Sequence, residues 1–92
     1  MFTVIAFDVV EDRTRYRVVK ELRRYARRVQ KSVFEAPELS GPDFQRLRGR
    51  IEALIDPGAD TVRYYFLCGA CLPRVVTSGT GEVTVHEEFT VV

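Results

Sequence analysis

An apolar run, Phe2-Thr3-Val4-Ile5-Ala6-Phe7, ends on the carboxylate of Asp8, and a densely basic segment begins five residues later at Arg13. That junction is the first candidate for chemistry. Of the fourteen Lys and Arg residues, nine lie from Arg13 to Lys31, opposed there only by Glu21, so the net charge of +1 conceals a local surplus of cations. Such a surplus suits a polyanion such as nucleic acid, and it equally suits a solvated helix face. Arginine meets phosphate with a two-pronged fork and lysine meets it as a point charge. Arg13, Arg15, Arg17, Arg28 and Lys31 are therefore the candidates for phosphate-backbone contacts that read no sequence. Glu11 and Asp12 stand beside Asp8, and Asp12 suits the N-cap of the helix that follows. Read from the residues alone, Asp8 favours a turn-capping role at the end of its strand.

The other reactive side chains are sparse. Cys68-Gly69-Ala70-Cys71 has the spacing of half a zinc site, while a closed structural site takes four ligands. There is no second pair and His86 is the sole histidine, so small, partly buried cysteines at a strand end are expected. A ligand set shared between two copies, or a redox pair, is the alternative. His86, in an alternating stretch with Thr84 and Glu88, reads as ordinary surface. Neither Ser32 nor Tyr64 has a base beside it in sequence, which leaves nucleophilic catalysis without support.

The elements that must position these residues follow from periodicity. Residues 2 to 8 form a continuous apolar strand of the kind buried on both faces in mid-sheet. Val18, Val19, Leu22, Tyr25, Ala26 and Val29 recur at helical spacing, predicting a helix over about 13–27 with cations on its other arc. Val29 to Ala36 alternates with period two, as one strand or two short ones, until Pro37 stops it. Ser40-Gly41-Pro42 opens a second helix with the stripe Phe44, Leu47, Ile51, Leu54 and Ile55. Asp56-Pro57-Gly58 ends it, a strand follows over 61–68, and after the link 77–81 a last alternating strand runs over 82–92. Ninety-two residues make one small domain, near the size where oligomerisation adds burial. The fold expected is an α+β, ferredoxin-like βαββαβ sandwich over residues 1–78, provided residues 29–39 supply both middle strands. Residues 79–92 would add a C-terminal strand for dimer or partner docking. No apolar run approaches a membrane span, and the N-terminus enters a strand without a secretory pattern, so a cytoplasmic protein is expected.

Several stretches together resemble the small CRISPR-associated Cas2 proteins. They are Phe7-Asp8, Glu11-Asp12-Arg13, Tyr25-Ala26-Arg27-Arg28 running into Val29-Gln30-Lys31-Ser32-Val33-Phe34-Glu35, Asp60-Thr61-Val62-Arg63-Tyr64-Tyr65 and Leu67-Cys68-Gly69-Ala70-Cys71. They cover about residues 1–72, and Val29 to Glu35 is the most specific. The resemblance implies a ferredoxin-like homodimer in CRISPR spacer acquisition, bridging integrase subunits and carrying duplex DNA on its basic surface. It also implies a metal-dependent endonuclease, with Mg2+ or Mn2+, acting on single-stranded RNA or double-stranded DNA, whose metal-binding and catalytic aspartate is Asp8. One carboxylate is few for Mg2+, which takes one or two carboxylates with waters and phosphate, so the Asp8 of two copies would have to share the ion. A purely structural adaptor and a toxin-like RNA nuclease of similar fold are the alternatives. The chain departs from the pattern at Phe7, where Tyr is common, at Val10, where a small polar residue is usual, and at Thr14, where a second basic residue is frequent. These departures imply fewer hydrogen-bond partners around Asp8 than the family pattern supplies.

Overall fold

The computed structural model describes residues 1–79. The expected C-terminal strand, His86 and nearly all of the proposed extension lie outside the described residues. Within them the order is β1 (Phe2–Asp8), α1 (Asp12–Leu22), β2 (Arg27–Gln30), β3 (Val33–Ala36), α2 (Gly41–Leu54), β4 (Thr61–Leu67) and a short 3-10 turn at Leu72–Arg74. This is the βαββαβ order expected, in one antiparallel sheet with strands arranged β2, β3, β1, β4.

β1 is central, pairing with β3 along one side, Ile5 opposite Phe34, and with β4 along the other, Asp8 opposite Thr61. Its alternation sends Thr3, Ile5 and Phe7 to a fully buried face. There Ile5 and Phe7 join Val18 and Leu22 of α1, Leu47 and Ile51 of α2, and Phe34 of β3 in one core. Both helices thus cover one face of the sheet. The strand is not sealed on its second side: Val4 and Ala6 are half-buried, and Arg63 and Tyr65, their partners in register on β4, are exposed. The expected burial on both faces is not met within this chain, because an apolar residue does not reveal whether its cover comes from its own chain.

α1 is shorter than its apolar spacing predicts. It stops at Leu22, and the chain turns with the Tyr25 and Ala26 amides both donating to the Leu22 carbonyl at 3.1 and 2.9 Å. Tyr25 and Ala26 still pack against the core, but from the turn. The backbone of Arg27 is needed opposite Glu35, and that pairing takes it out of the helix. Glu11, not Asp12, holds the N-cap position, without a side-chain cap bond, and Asp12 pairs with Arg15 one turn on. α2 begins as its sequence reads, the Ser40 hydroxyl accepting from the Asp43 amide at 3.2 Å and Pro42 sitting in the first turn.

β4 forms one edge of the sheet, held to α2 by an aromatic seam. Phe44 meets Tyr64 and Phe66 edge to face, at ring-centroid separations of 5.2 and 5.1 Å. Burial of the Tyr64 hydroxyl, helped by the Glu52 carboxylate, pushes its pKa up to about 12. Among the described residues, no helix is long and apolar enough to cross a membrane.

Candidate functional site

Antiparallel pairing gathers one end of every strand around Asp8. The carboxylate is exposed at the last residue of β1, in phase with Val4 and Ala6 on the face that the helices leave open. The β2–β3 turn lies at the same end, because the Phe7 amide donates to the Ser32 carbonyl at 3.0 Å, which carries Lys31 there. The first turn of α1 brings Arg13, and Arg17 follows one helical turn further along. Arg13, Arg17 and Lys31 are exposed, and none of their side chains enters an ion pair or hydrogen bond within the described residues.

Arg15 and Arg28 are differently placed. The Arg15 guanidinium donates from Nε and Nη2 to the Val9 carbonyl at 3.2 and 2.9 Å, from Nη2 to the Val10 carbonyl at 3.2 Å, and from Nη1 to the Asp12 carboxylate. It binds the β1–α1 loop to the helix and so fixes the backbone that leaves Asp8. Arg28 donates from Nε and Nη2 to the Lys31 carbonyl, and its guanidinium lies 5.8 Å from the centre of the Phe34 ring. That closes the β2–β3 turn. Both loops expose carbonyls that no strand partner satisfies, and arginine supplies several donors in one fork. The two residues shape the basic surface, while Arg13, Arg17 and Lys31 keep their donors open.

A residue without an expected role, Asp60, sets the loop beside Asp8. Its Oδ1 accepts from the Val10 amide at 3.0 Å and its Oδ2 from the Asp56 amide at 2.9 Å. Those two amides, Val10 first, hold its pKa below the usual carboxylate range. Only a stretch that matches a family pattern marks it in the sequence, since its Val10 partner stands fifty positions away. Stabilisation from a depressed carboxylate is complete above the unfolded pKa of about 3.9 and is lost as pH falls through the lower folded value. Asp60→Ala should therefore melt below wild type at pH 7, with the gap closing in acid below about pH 3.9. Thermal melts at both pH values check this, and a gap unchanged by acid would mean that the carboxylate charge does not matter there.

Among the described residues, no three His, Cys, Asp or Glu side chains gather to hold a metal ion. At this end Asp8 is an exposed carboxylate, while the neighbouring ones are engaged: Asp60 accepts from two amides, Asp12 pairs with Arg15, and Glu11 accepts from the Thr14 hydroxyl. The donor set fits Mg2+ or Mn2+ only if two copies of Asp8 meet.

The family model for the CRISPR associated protein Cas2 matches residues 1–75. The chain belongs to the Cas2 family. It is 44% identical over 84 residues to the CRISPR-associated endoribonuclease Cas2 3 of Chloroflexus aurantiacus, covering 91% of this chain and 89% of that one. The crystal structure of Streptococcus pyogenes Cas2 superposes with a TM-score of 0.76 at 30% identity, over 86% of this chain and 100% of the other. A chain in a partial Cas6-RT–Cas1–Cas2 complex superposes at 0.72, with 28% identity, over 83% of this chain and 82% of that one. Family membership accounts for the strand order and for the stretches quoted from Phe7 to Cys71.

Proposed function

We propose that this Cas2 protein acts in CRISPR adaptation as a homodimer that binds nucleic acid across its basic end, partners a Cas1 integrase, and cleaves phosphodiesters at a site made by two Asp8 carboxylates. The observation that carries the reading is the position of Asp8, exposed at the end of a sheet face that its own helices do not cover. Two copies meeting by that face around a two-fold axis would bury Val4 and Ala6 and bring like residues together near the axis. The exposed Tyr65, whose hydroxyl accepts from Arg63 Nη1 at 3.3 Å, lies in phase with them. The name of the Chloroflexus relative supports RNA as a substrate, and the Cas1–Cas2 complex supports the integrase partner.

Asp8 of each copy would hold the cation, Mg2+ or Mn2+. The chemistry such an ion supplies is polarisation of a phosphodiester and activation of water. Arg13, Arg17 and Lys31 hold the strand by its phosphates, and Arg15 and Asp60 keep the loop beside Asp8 in one conformation. A second reading, an adaptor without catalysis, is favoured by the engagement of the carboxylates that neighbour Asp8: Asp60 with two amides, Asp12 with Arg15, and Glu11 with the Thr14 hydroxyl.

Salt titration tests the surface. Log affinity for duplex DNA should fall steeply with log salt, and Ala at Arg13, Arg17 or Lys31 should each flatten the slope by about 0.9, or about 0.7 for single strands. Ala at Arg15 or Arg28 should lower thermal stability while leaving the slope nearly unchanged. A wild-type slope close to zero would remove this end of the molecule as the contact surface.

A further inference from the structure

The structure differs from expectation at the two cysteines, which are exposed rather than partly buried. Cys68 follows the last residue of β4, and Cys71 precedes the 3-10 turn at Leu72–Arg74. A backbone bond from the Cys71 amide to the Cys68 carbonyl, 3.0 Å long, closes the intervening turn and puts both side chains on one side. Their sulfurs stand 3.3 Å apart, one thiol donating to the other. A side chain at Gly69 would meet nothing within 4 Å, so the outside of the turn is open to a reagent.

Buried cysteines are inert, whereas exposed ones react in proportion to their thiolate character. The two sulfurs are unequal in that respect. The Cys71 thiol, then the amides of Cys71 and Ala70, lower the Cys68 pKa, while the same pairing raises that of Cys71. Among the described residues, no third His, Cys, Asp or Glu completes a metal set with them.

We propose that Cys68 and Cys71 form a reversible dithiol–disulfide site whose oxidant is a low-molecular-weight disulfide, with Cys68 attacking and Cys71 resolving. The Cys68 thiolate attacks one sulfur of the oxidant, whose S–S bond breaks. One thiolate leaves and a mixed disulfide remains on Cys68. Cys71 then gives its proton to solvent and attacks the Cys68 sulfur, expelling the second thiolate. Two protein thiols and one small disulfide become one protein disulfide and two small thiols. The protein loses two hydrogens, and the oxidant takes up both electrons and protons. Closing the bridge ties the end of β4 to the turn that carries the chain onward, and reduction frees it.

The test is oxidation of the full chain in graded mixtures of reduced and oxidised glutathione, followed by acid quench, intact mass and peptide mapping. The expected product has lost two hydrogens, carries a Cys68–Cys71 link, and forms at a ratio independent of protein concentration. Dithiothreitol reverses it. Cys71→Ser should stop at a one-glutathione adduct, and limiting iodoacetamide on the reduced wild-type chain, where the pairing is intact, should label Cys68 ahead of Cys71. Cys71 is exposed, so the change removes no core, and circular dichroism checks the fold. Bridges between chains only, no bridge in the wild-type chain, or labelling of Cys71 ahead of Cys68 in the reduced wild-type chain would overturn the proposal. So would protection of both thiols by zinc that a chelator removes, which would indicate ligands shared between copies.

Discussion

Asp8→Asn should reduce metal-dependent cleavage by at least about 100-fold and leave folding and nucleic-acid affinity close to wild type. Loss of a group that only orients a metal ligand costs about 10- to 100-fold, so loss of the ligand's own charge sets a higher floor. Asn keeps the shape of the side chain and an acceptor oxygen, but it gives a divalent cation no negative charge. Because Asp8 is exposed and is not a member of the core, the substitution removes little that holds the domain together. Single-stranded RNA and duplex DNA should both be assayed, with Mg2+ and with Mn2+. Cleavage retained at the wild-type rate would eliminate Asp8 as the metal ligand. Spacer acquisition in cells carrying Asp8→Asn then separates the two readings of function. Acquisition lost with the dimer and integrase complex intact supports catalysis, whereas normal acquisition makes the protein an adaptor in that process.

The largest effect on stability is expected from Phe34→Ala. Phe34 is fully buried in β3, opposite Ile5 of β1, with its ring centroid 6.1 Å from that of Phe7. Truncating a buried Phe costs about 3–5 kcal/mol, the transfer term plus the cavity left behind. A domain of this size has about 5–15 kcal/mol in total, so the variant should unfold at far lower urea or lose its cooperative transition. Phe66→Ala is the control: Phe66 is 50% exposed and touches the protein through its edge contact with Phe44, so its loss should be much the smaller. Urea titrations at several protein concentrations would also reveal how far a dimer contributes to stability. A cost below about 1 kcal/mol at Phe34 would mean that the neighbouring side chains collapse into the space.

Much of the architecture is legible along the chain, where neighbouring residues decide it. Ser40 and Pro42 mark the start of α2, and its apolar stripe names Leu47 and Ile51 as core. The run ending on Asp8 is a strand in mid-sheet. The fold class requires a doubled middle strand, and its turn falls at Lys31 and Ser32, between β2 ending at Gln30 and β3 starting at Val33. The end of α1 is not legible along the chain, because Tyr25 and Ala26 preserve helical spacing while packing from a turn. Periodicity records which residues reach the core, not the backbone from which they reach it.

The cations show the same division. Residue type and density made the segment from Arg13 to Lys31 a phosphate-binding candidate, yet no count separates Arg15 and Arg28 from Arg13, Arg17 and Lys31. The distinction arises where chain ends and turns leave carbonyls without strand partners, and a nearby guanidinium fills that need. The contact of Asp60 with Val10 has no local signature, because it joins segments fifty residues apart. By itself, then, the sequence determined the helices' apolar stripes, the alternating strands, the basic density and the carboxylate that closes β1. Only the tertiary structure decided which arginines stay open, which carboxylate is engaged, that Asp8 faces away from both helices, and that the two thiols meet in the open. Local order depends on spacing along the chain, whereas these outcomes depend on register between strands and on polar groups left unpaired when the sheet closes.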